Sequence, residues 1–514
     1  MTSSLAKSRW LLAAWLMTAA AVCLAGCGRG EISPHQERRR ADYDARIRER
    51  WGKPLDELPV VTLVLISPHN ENIQTEYEWA FSLHHALEHG QRVGIEWRDV
   101  GGGGSTIQKY LQNVYGQADT AEIDVLWGGG DLVFSALLKP TGAHEQGILE
   151  PLDLPEDVLA NVPQEIRGQR LYGYARGEQA GQAGVRPRWI GSALSGFGFL
   201  CNAGMLDKCG IARPRAWSDL GDARFTDLIE LADPAQSGSV TATYLMIVKS
   251  EFADLPADAD DAAADAAWRR GWAKLLMLLS NAKRITDSAG SAANAPALGD
   301  ALVATSIDFY GLMRVAEAPG ELVYVSPAGQ TSFGPDPIGI LKNPPHPQTA
   351  RRFVEFVMSP RGQALWGLRV GEPDGPVRTA LGRQPIRRDV YDEYADGLID
   401  SIVNPFEAEA AMPMHPRMNA VNFGILRRLV VAAAVDNLSA LRDARRRLNE
   451  LQRDSARPDE YARRLDAFVR LPGNVDTLAE MNDRSLRPKE PKARRRVDLA
   501  WRDAFHDRFS RIAE

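Results

Sequence analysis

The chain has 514 residues, 44% of them hydrophobic and 25% charged, enough to bury more than one core. A formal net charge of -6 excludes a broadly nucleic-acid-binding surface, and 12 Trp, 12 Tyr and 15 Phe exclude a disordered chain.

At the amino terminus, Lys7 and Arg9 precede an almost unbroken apolar run from Trp10 to Leu24, closed by Ala25, Gly26 and Cys27. Positive charge, a short apolar stretch and small residues spell a secretory signal over residues 1–27; the alternative is an uncleaved membrane-spanning helix. Leu24-Ala-Gly-Cys27 resembles the lipobox of bacterial lipoproteins, which implies that Cys27 is acylated. Two or more acyl chains, at about 0.8 kcal/mol per buried CH₂, anchor a protein durably. The expected location is therefore the periplasm or cell envelope, with the protein lipid-anchored to a membrane outside the cytoplasm. Two cysteines remain in the mature body, Cys201 and Cys209. In an oxidising compartment they close a short disulfide loop or stand as two free buried thiols, and neither reading is catalytic.

Residues 28–58 are charge-dense and interrupted by Pro34 and Pro54, the composition of a partly helical, solvated tether. A strand-helix alternation follows. Val60 to Ile66 is a β-branched strand, Ile73 to His89 has helical spacing with Gly90 as its stop, and Val93 to Val100 alternates as a second strand. Gly101 to Gly104 leads into a helix through Tyr115, and Ile123 to Trp127 is a strand ending in three glycines. The pattern resumes with strands Phe197 to Asn202 and Ile229 to Ala232 and a helix from Val240 to Ser250. Ala257 to Ala267 reads as an Ala/Asp-rich loop before a helix from Trp268 to Leu279. A strand at Thr305 to Asp308, a helix at Leu312 to Glu317, strands at Val323 to Ser326 and Ile338 to Leu341, and a helix from Pro347 to Met358 complete it. Asn419 to Leu451 reads as one long helix, and no strand signal follows.

The fold class is α/β with mainly parallel sheets: a two-lobed clamp with a C-terminal helical extension. The expected divisions are a first lobe over residues 59–160 and 320–393, a second over 161–319, and the extension over 394–514. Two strand-helix corners carry the binding expectation. They are Gly101 to Thr106, with Gly103, Gly104, Ser105 and Thr106 at the helix start, and Asp233 to Ser239, with Ser237, Gly238 and Ser239. Such corners leave amide hydrogens unpaired at the positive end of a helix, suited to an anionic or strongly polar group.

The segments Val61-Thr-Leu-Val-Leu-Ile-Ser-Pro-His69, Asp124-Val-Leu-Trp-Gly-Gly-Gly130, Leu231-Ala-Asp-Pro-Ala-Gln-Ser-Gly-Ser239, Ser306-Ile-Asp-Phe-Tyr310 and the run from Asp336 to Gln363 follow one another in a familiar order. Together they resemble the solute-binding proteins of ferric-iron and phosphonate ABC importers, a branch of the type II periplasmic-binding family. The resemblance implies a non-enzymatic clamp for a small-molecule ligand, needing no cofactor and partnered by a permease and its ATPase. It also implies a His from the first strand-helix turn, a Glu after a later strand and an adjacent Tyr pair as iron ligands. Here His69 keeps the first, glycine replaces the Glu in Gly128-Gly129-Gly130, and the pair is Phe309-Tyr310. Ferric iron wants anionic oxygen, and half of that set is gone. Ser67, His69, Asn70, Gly128, Gly129, Asp308 and Tyr310 suit an organophosphonate, a sugar phosphate or a chelate-like ligand better. Trp127 either stacks on the ligand or sits in the core.

Two rivals stand beside this reading. One is a signalling or scaffold lipoprotein that keeps the clamp without transport. The other is a zinc hydrolase using His85, Glu88 and His89, which fit the H-x-x-E-H pattern but end an amphipathic helix, where histidines meet the negative end of the dipole.

Overall fold

A computed structural model describes residues 33–514 apart from 102 and 408; the expected signal segment and Cys27 lie outside the described residues. The first described element, α1 (Pro34–Trp51), corrects the expected tether. Ser33 caps it, and its Tyr43 and Ile47 are buried with Leu55, Leu58, Leu83 and Leu87, so one face of this charge-rich helix is docked on the first lobe. Arg38, Arg40, Arg46 and Arg48 stay exposed, as amphipathic spacing requires, while Arg39 on the docked face donates to the Glu372 and Gly375 carbonyls.

The first lobe is laid down as β1 (Val60–Ile66), α2 (Glu71–His89), β2 (Arg92–Arg98), α3 (Gly104–Tyr115), β3 (Val125–Trp127) and α4 (Asp131–Leu137). Strands β4 (Tyr172–Gly173) and β5 (Trp189–Ser195) follow in the same lobe. The chain then passes through Gly196 into β6 (Phe197–Asn202), α5 (Ala203–Lys208), β7 (Ile229–Ala232) and α6 (Gly238–Lys249) of the second lobe. There it adds α7 (Asp261–Ser280), β8 (Ala282–Thr286), α8 (Ala289–Ala297), β9 (Val303–Ile307), α9 (Asp308–Glu317) and β10 (Leu322–Val325). It returns through residues 326–333 to β11 (Gly334–Ile340), α10 (Pro347–Met358) and α11 (Pro360–Gly367) of the first lobe.

Sheet order is β2-β1-β3-β11-β5-β4 in the first lobe and β8-β7-β9-β6-β10 in the second. Both sheets are mixed, which corrects the mainly parallel expectation. β1, β2 and β3 run parallel, as do β7, β8 and β9, but β11 pairs antiparallel with both β3 and β5, and β6 with both β9 and β10. The passage between lobes falls at Gly196 and the return at residues 326–333, not at 161 and 320. The cause is the strand Trp189–Ser195, whose small residues conceal its pattern and which belongs to the first sheet. The Ala/Asp-rich segment is helical from Asp261 because Asp260 caps it, accepting from the Ala263 N–H at 2.8 Å.

The chain beyond 415 is largely helical, but the expected single helix is broken. α12 (Phe423–Val430) runs into a π-helical turn at Val431–Val435 before α13 (Leu438–Arg453), α14 (Pro458–Val469) and α15 (Pro491–Ala513). Asn437 makes the break, its Nδ2 donating to the Ala432 and Arg502 carbonyls at 2.8 Å each. These helices share one core with the second sheet. Trp272 packs on Phe505 at 5.9 Å between ring centroids, and Trp268 Nε1 donates to the Val475 carbonyl.

Candidate ligand cleft

Strand direction fixes which corners can face each other. β5 ends at Ser195 on the edge where β1 and β3 also end, since both β5 and β3 pair antiparallel with β11. One residue later β6 begins at Phe197, paired with Ile307 at the end of β9. The carboxyl edges of both parallel strand sets therefore meet at Gly196, which is where open α/β sheets bind ligands. An added Cβ on Gly196 would lie 2.7 Å from the Phe333 ring, so this tight crossing requires glycine.

The corners at Gly103 and Ser237 sit on these edges. Asn70 caps α2, Asn202 caps α5 and Ser288 caps α8, yet neither α3 nor α6 receives a side-chain cap. Gly103, Thr106 and Gly238 are exposed, and an added Cβ on Gly103 or Gly238 meets nothing. Gly104 packs against Gly129; Ser105 is the second residue of α3. Ser237 and Ser239 are partly exposed and share a hydroxyl contact at 3.0 Å.

Deeper, a charged cluster lies at the crossing. Asp336, from β11, accepts from the Gly129 and Gly130 N–H groups at 2.9 and 3.3 Å and from His69 Nε2 at 2.7 Å. The Arg383 guanidinium donates to Asp336 at 2.5 Å and to Ser195 Oγ at 2.7 Å, and lies over the Phe309 ring of the second lobe at 5.0 Å. Burial alone would raise the Asp336 carboxyl, but Arg383 and His69 outweigh it and hold it well below the usual carboxylate range. Burial lowers His69, so its ring is neutral and Nε2 carries the proton given to Asp336. Among the described residues, His69 Nδ1 and Arg383 Nε are buried without partners.

Several expected ligand contacts are thereby corrected. The turn amides of Gly129 and Gly130 are spent on Asp336, and the Gly128 N–H is spent on the Pro337 carbonyl at 2.7 Å. Gly128 has φ +89°, and an added Cβ would come within 2.6 Å of His69 Nε2, so its role is close packing. Trp127 is fully buried, donates to Ser192 Oγ at 2.8 Å, and is a core residue. Asp308 is also buried, accepting from the Gly196 and Phe309 N–H groups at 2.6 and 2.8 Å. Asn70 spends its oxygen on the Ile73 N–H, and Ser67 Oγ accepts from the His69 N–H at 3.1 Å. Ser67 and His69 line a cavity of about 230 Å³ with Trp97 and Arg98. Tyr310 is partly exposed, its ring 4.2 Å from that of Phe309. A groove of about 740 Å³ beside α4 contains none of the expected residues.

Arg383, Asp336 and Ser195 were not expected as site residues. Asp336, a lone acid in an apolar strand, signals a need for a buried cation; nothing in the sequence pairs it with Arg383. The disulfide expectation is also corrected, since Cys201 and Cys209 are both free. Cys201 faces the core from β6, while Cys209 is exposed at the end of α5. The zinc reading fails on geometry. His85 is buried with Nδ1 on the Gln91 carbonyl at 2.7 Å and Nε2 facing the Arg352 guanidinium at 3.1 Å, and Glu88 pairs with Arg50 at 2.9 Å. Among the described residues no group of three or more His, Cys, Asp or Glu could hold a metal ion.

Burial pushes Asp308 up to about 7 against the Gly196 N–H and Arg383. The folded protein thus keeps a proton that the unfolded chain releases near pH 4, so stability present in acid is lost as pH rises through about 7. Urea unfolding across that interval is expected to show a falling unfolding free energy, and Asp308→Asn to remove the slope. An unchanged slope in the variant would assign it elsewhere.

Residues 142–373 match the family model described as bacterial extracellular solute-binding protein. Over that stretch the match agrees with the resemblance to extracellular solute-binding proteins. The phosphoglycerate transport regulatory protein PgtC of Salmonella typhimurium is 24% identical over 181 residues, 35% of this chain; the match spans 41% of that curated relative's length. Among solved structures, the periplasmic binding protein AfuA from Actinobacillus pleuropneumoniae, with exogenous fructose-6-phosphate bound, is 18% identical. It matches over 68% of this chain and 93% of its own, with a TM-score of 0.42. Iron-bound HitA from Pseudomonas aeruginosa is also 18% identical, over 72% and 98%, with a TM-score of 0.45.

Proposed function

We propose that this chain is the solute-binding component of an ABC-type importer, acylated at Cys27 and held outside the cytoplasmic membrane, and that it captures a small organic anion such as a phosphonate or sugar phosphate. One observation carries the reading: two uncapped helix starts, exposed at Gly103 and Gly238, stand on strand edges that meet at one crossing. An anion held by both would favour lobe closure, the form a permease reads. Bare ferric iron fits poorly, because His69 is committed to Asp336 and a guanidinium lies 3.1 Å from its Nε2. The name of the relative PgtC points to a phosphorylated organic acid as a ligand to try first.

Thermal unfolding of the purified protein with phosphonates, sugar phosphates and phosphoglycerates is the test. A binder at about 100 times its Kd adds about 2.7 kcal/mol and raises the midpoint. Flat midpoints throughout, with a rise for ferric citrate alone, would reverse the ligand assignment. The regulatory name of PgtC favours a second reading, a sensing lipoprotein without transport. Deleting the gene separates the two: an importer loses uptake of the ligand, whereas a sensor loses only the response to it.

A further inference from the structure

The carboxyl-terminal helices carry a surface that ligand capture does not use. From Arg484 to Arg496 the sequence places seven cations against one acid, Glu490, in a chain whose net charge is -6. None of the seven forms an ion pair among the described residues, and all are exposed. The neighbouring acids are engaged: Asp498 binds Arg428 at 2.6 Å, and Asp483 accepts from the Ser485 N–H at 2.9 Å. α15 opens with Lys492 and Arg494 and no acid in its first turn, where the helix dipole favours negative charge. That arrangement costs stability locally and leaves positive potential for an outside anion.

Apolar side chains join the cations. Leu499, 36% exposed, follows Arg495 by four positions and so shares its helix face. Asn482 Nδ2 donates to the Ala420 carbonyl at 3.0 Å and Arg428 reaches the Leu486 carbonyl, so the start of α12 runs beside residues 482–486. Between those ties stands Phe423, 40% exposed. Cations flanked by projecting Phe and Leu suit an anionic bilayer, which offers headgroup charge and an apolar layer beneath it. An acidic protein would give the apolar pair no such layer.

We propose that this basic ridge docks on an anionic membrane surface. The inference does not depend on the identity of the solute or on acylation. Amine labelling of Lys489 and Lys492 in the full chain, read by mass spectrometry, tests it. Labelling is expected to fall several-fold on vesicles rich in phosphatidylglycerol, to recover at high salt, and to stay at the free-protein level on pure phosphatidylcholine, even if an acyl anchor holds the chain on both. Arg494→Glu with Arg495→Glu and Arg496→Glu should abolish the protection without lowering the melting temperature, and Phe423→Ser should weaken it. Equal labelling on both vesicles, or protection that survives the charge reversal, overturns the proposal.

Discussion

Removing residues 422–514 is expected to abolish folding of the second lobe: the truncated protein should show no cooperative unfolding of that lobe and should bind a hydrophobic dye. The helices beyond α12 complete the core of the five-stranded sheet. Trp268 and Trp272 of α7 are fully buried, one bonded to the Val475 carbonyl and the other stacked toward Phe505. Polar ties bind the same elements. Buried Arg445 donates to the Gly221 carbonyl at 2.6 Å, and Asn449 Nδ2 donates to Thr226 Oγ1 at 2.9 Å. Uncovering four large apolar side chains costs about 6–12 kcal/mol, comparable with the whole stability of an ordinary domain, about 5–15 kcal/mol. A truncated chain that melted cooperatively at the parent midpoint would make these helices an appendage after all.

That integration was not legible in the sequence, and the reason is physical. Apolar periodicity in Leu441, Ala444 and Leu448 says that a helix has a buried face, but not which partner covers it. Local rules succeeded where the cause was local. Pro347 starts α10 and Ser359 follows its end, and the glycine after His89 stops α2 as expected. They failed where small residues blur the pattern, as in Trp189–Ser195, and where a side chain redirects the backbone, as at Asn437. For the cleft, the exposed corners at Gly103 and Ser237 were readable, because a strand-glycine-helix order determines amide direction. The fate of Gly129 was not, since the carboxylate that fills its corner comes from Asp336, 207 residues away in the chain.

Arg383→Met is expected to lower the unfolding free energy by about 3–5 kcal/mol, the cost of leaving a buried carboxylate without its cation. Arg383 and Asp336 are each under 10% exposed, and the guanidinium supplies the positive charge that offsets burial of the acid. His69 is no substitute, because burial keeps it neutral. Asp336→Asn beside Arg383→Met should recover part of the loss, since an amide oxygen still accepts from the Gly129 and Gly130 N–H groups while no net charge stays buried. The pH dependence gives an independent check. Asp336 has a folded pKa below its unfolded value, so its stabilisation is present above about pH 4 and lost as pH falls below it. Arg383→Met should shrink that acid-side loss, because the charged form is no longer favoured. The same residue also ties the crossing strand at Ser195 to Phe309 across the lobes, so the variant should change lobe closure as well as stability. Scattering of the variant with and without ligand separates the two effects: altered compaction in the still-folded protein marks a hinge role, whereas normal compaction at reduced stability leaves Arg383 as counter-charge alone.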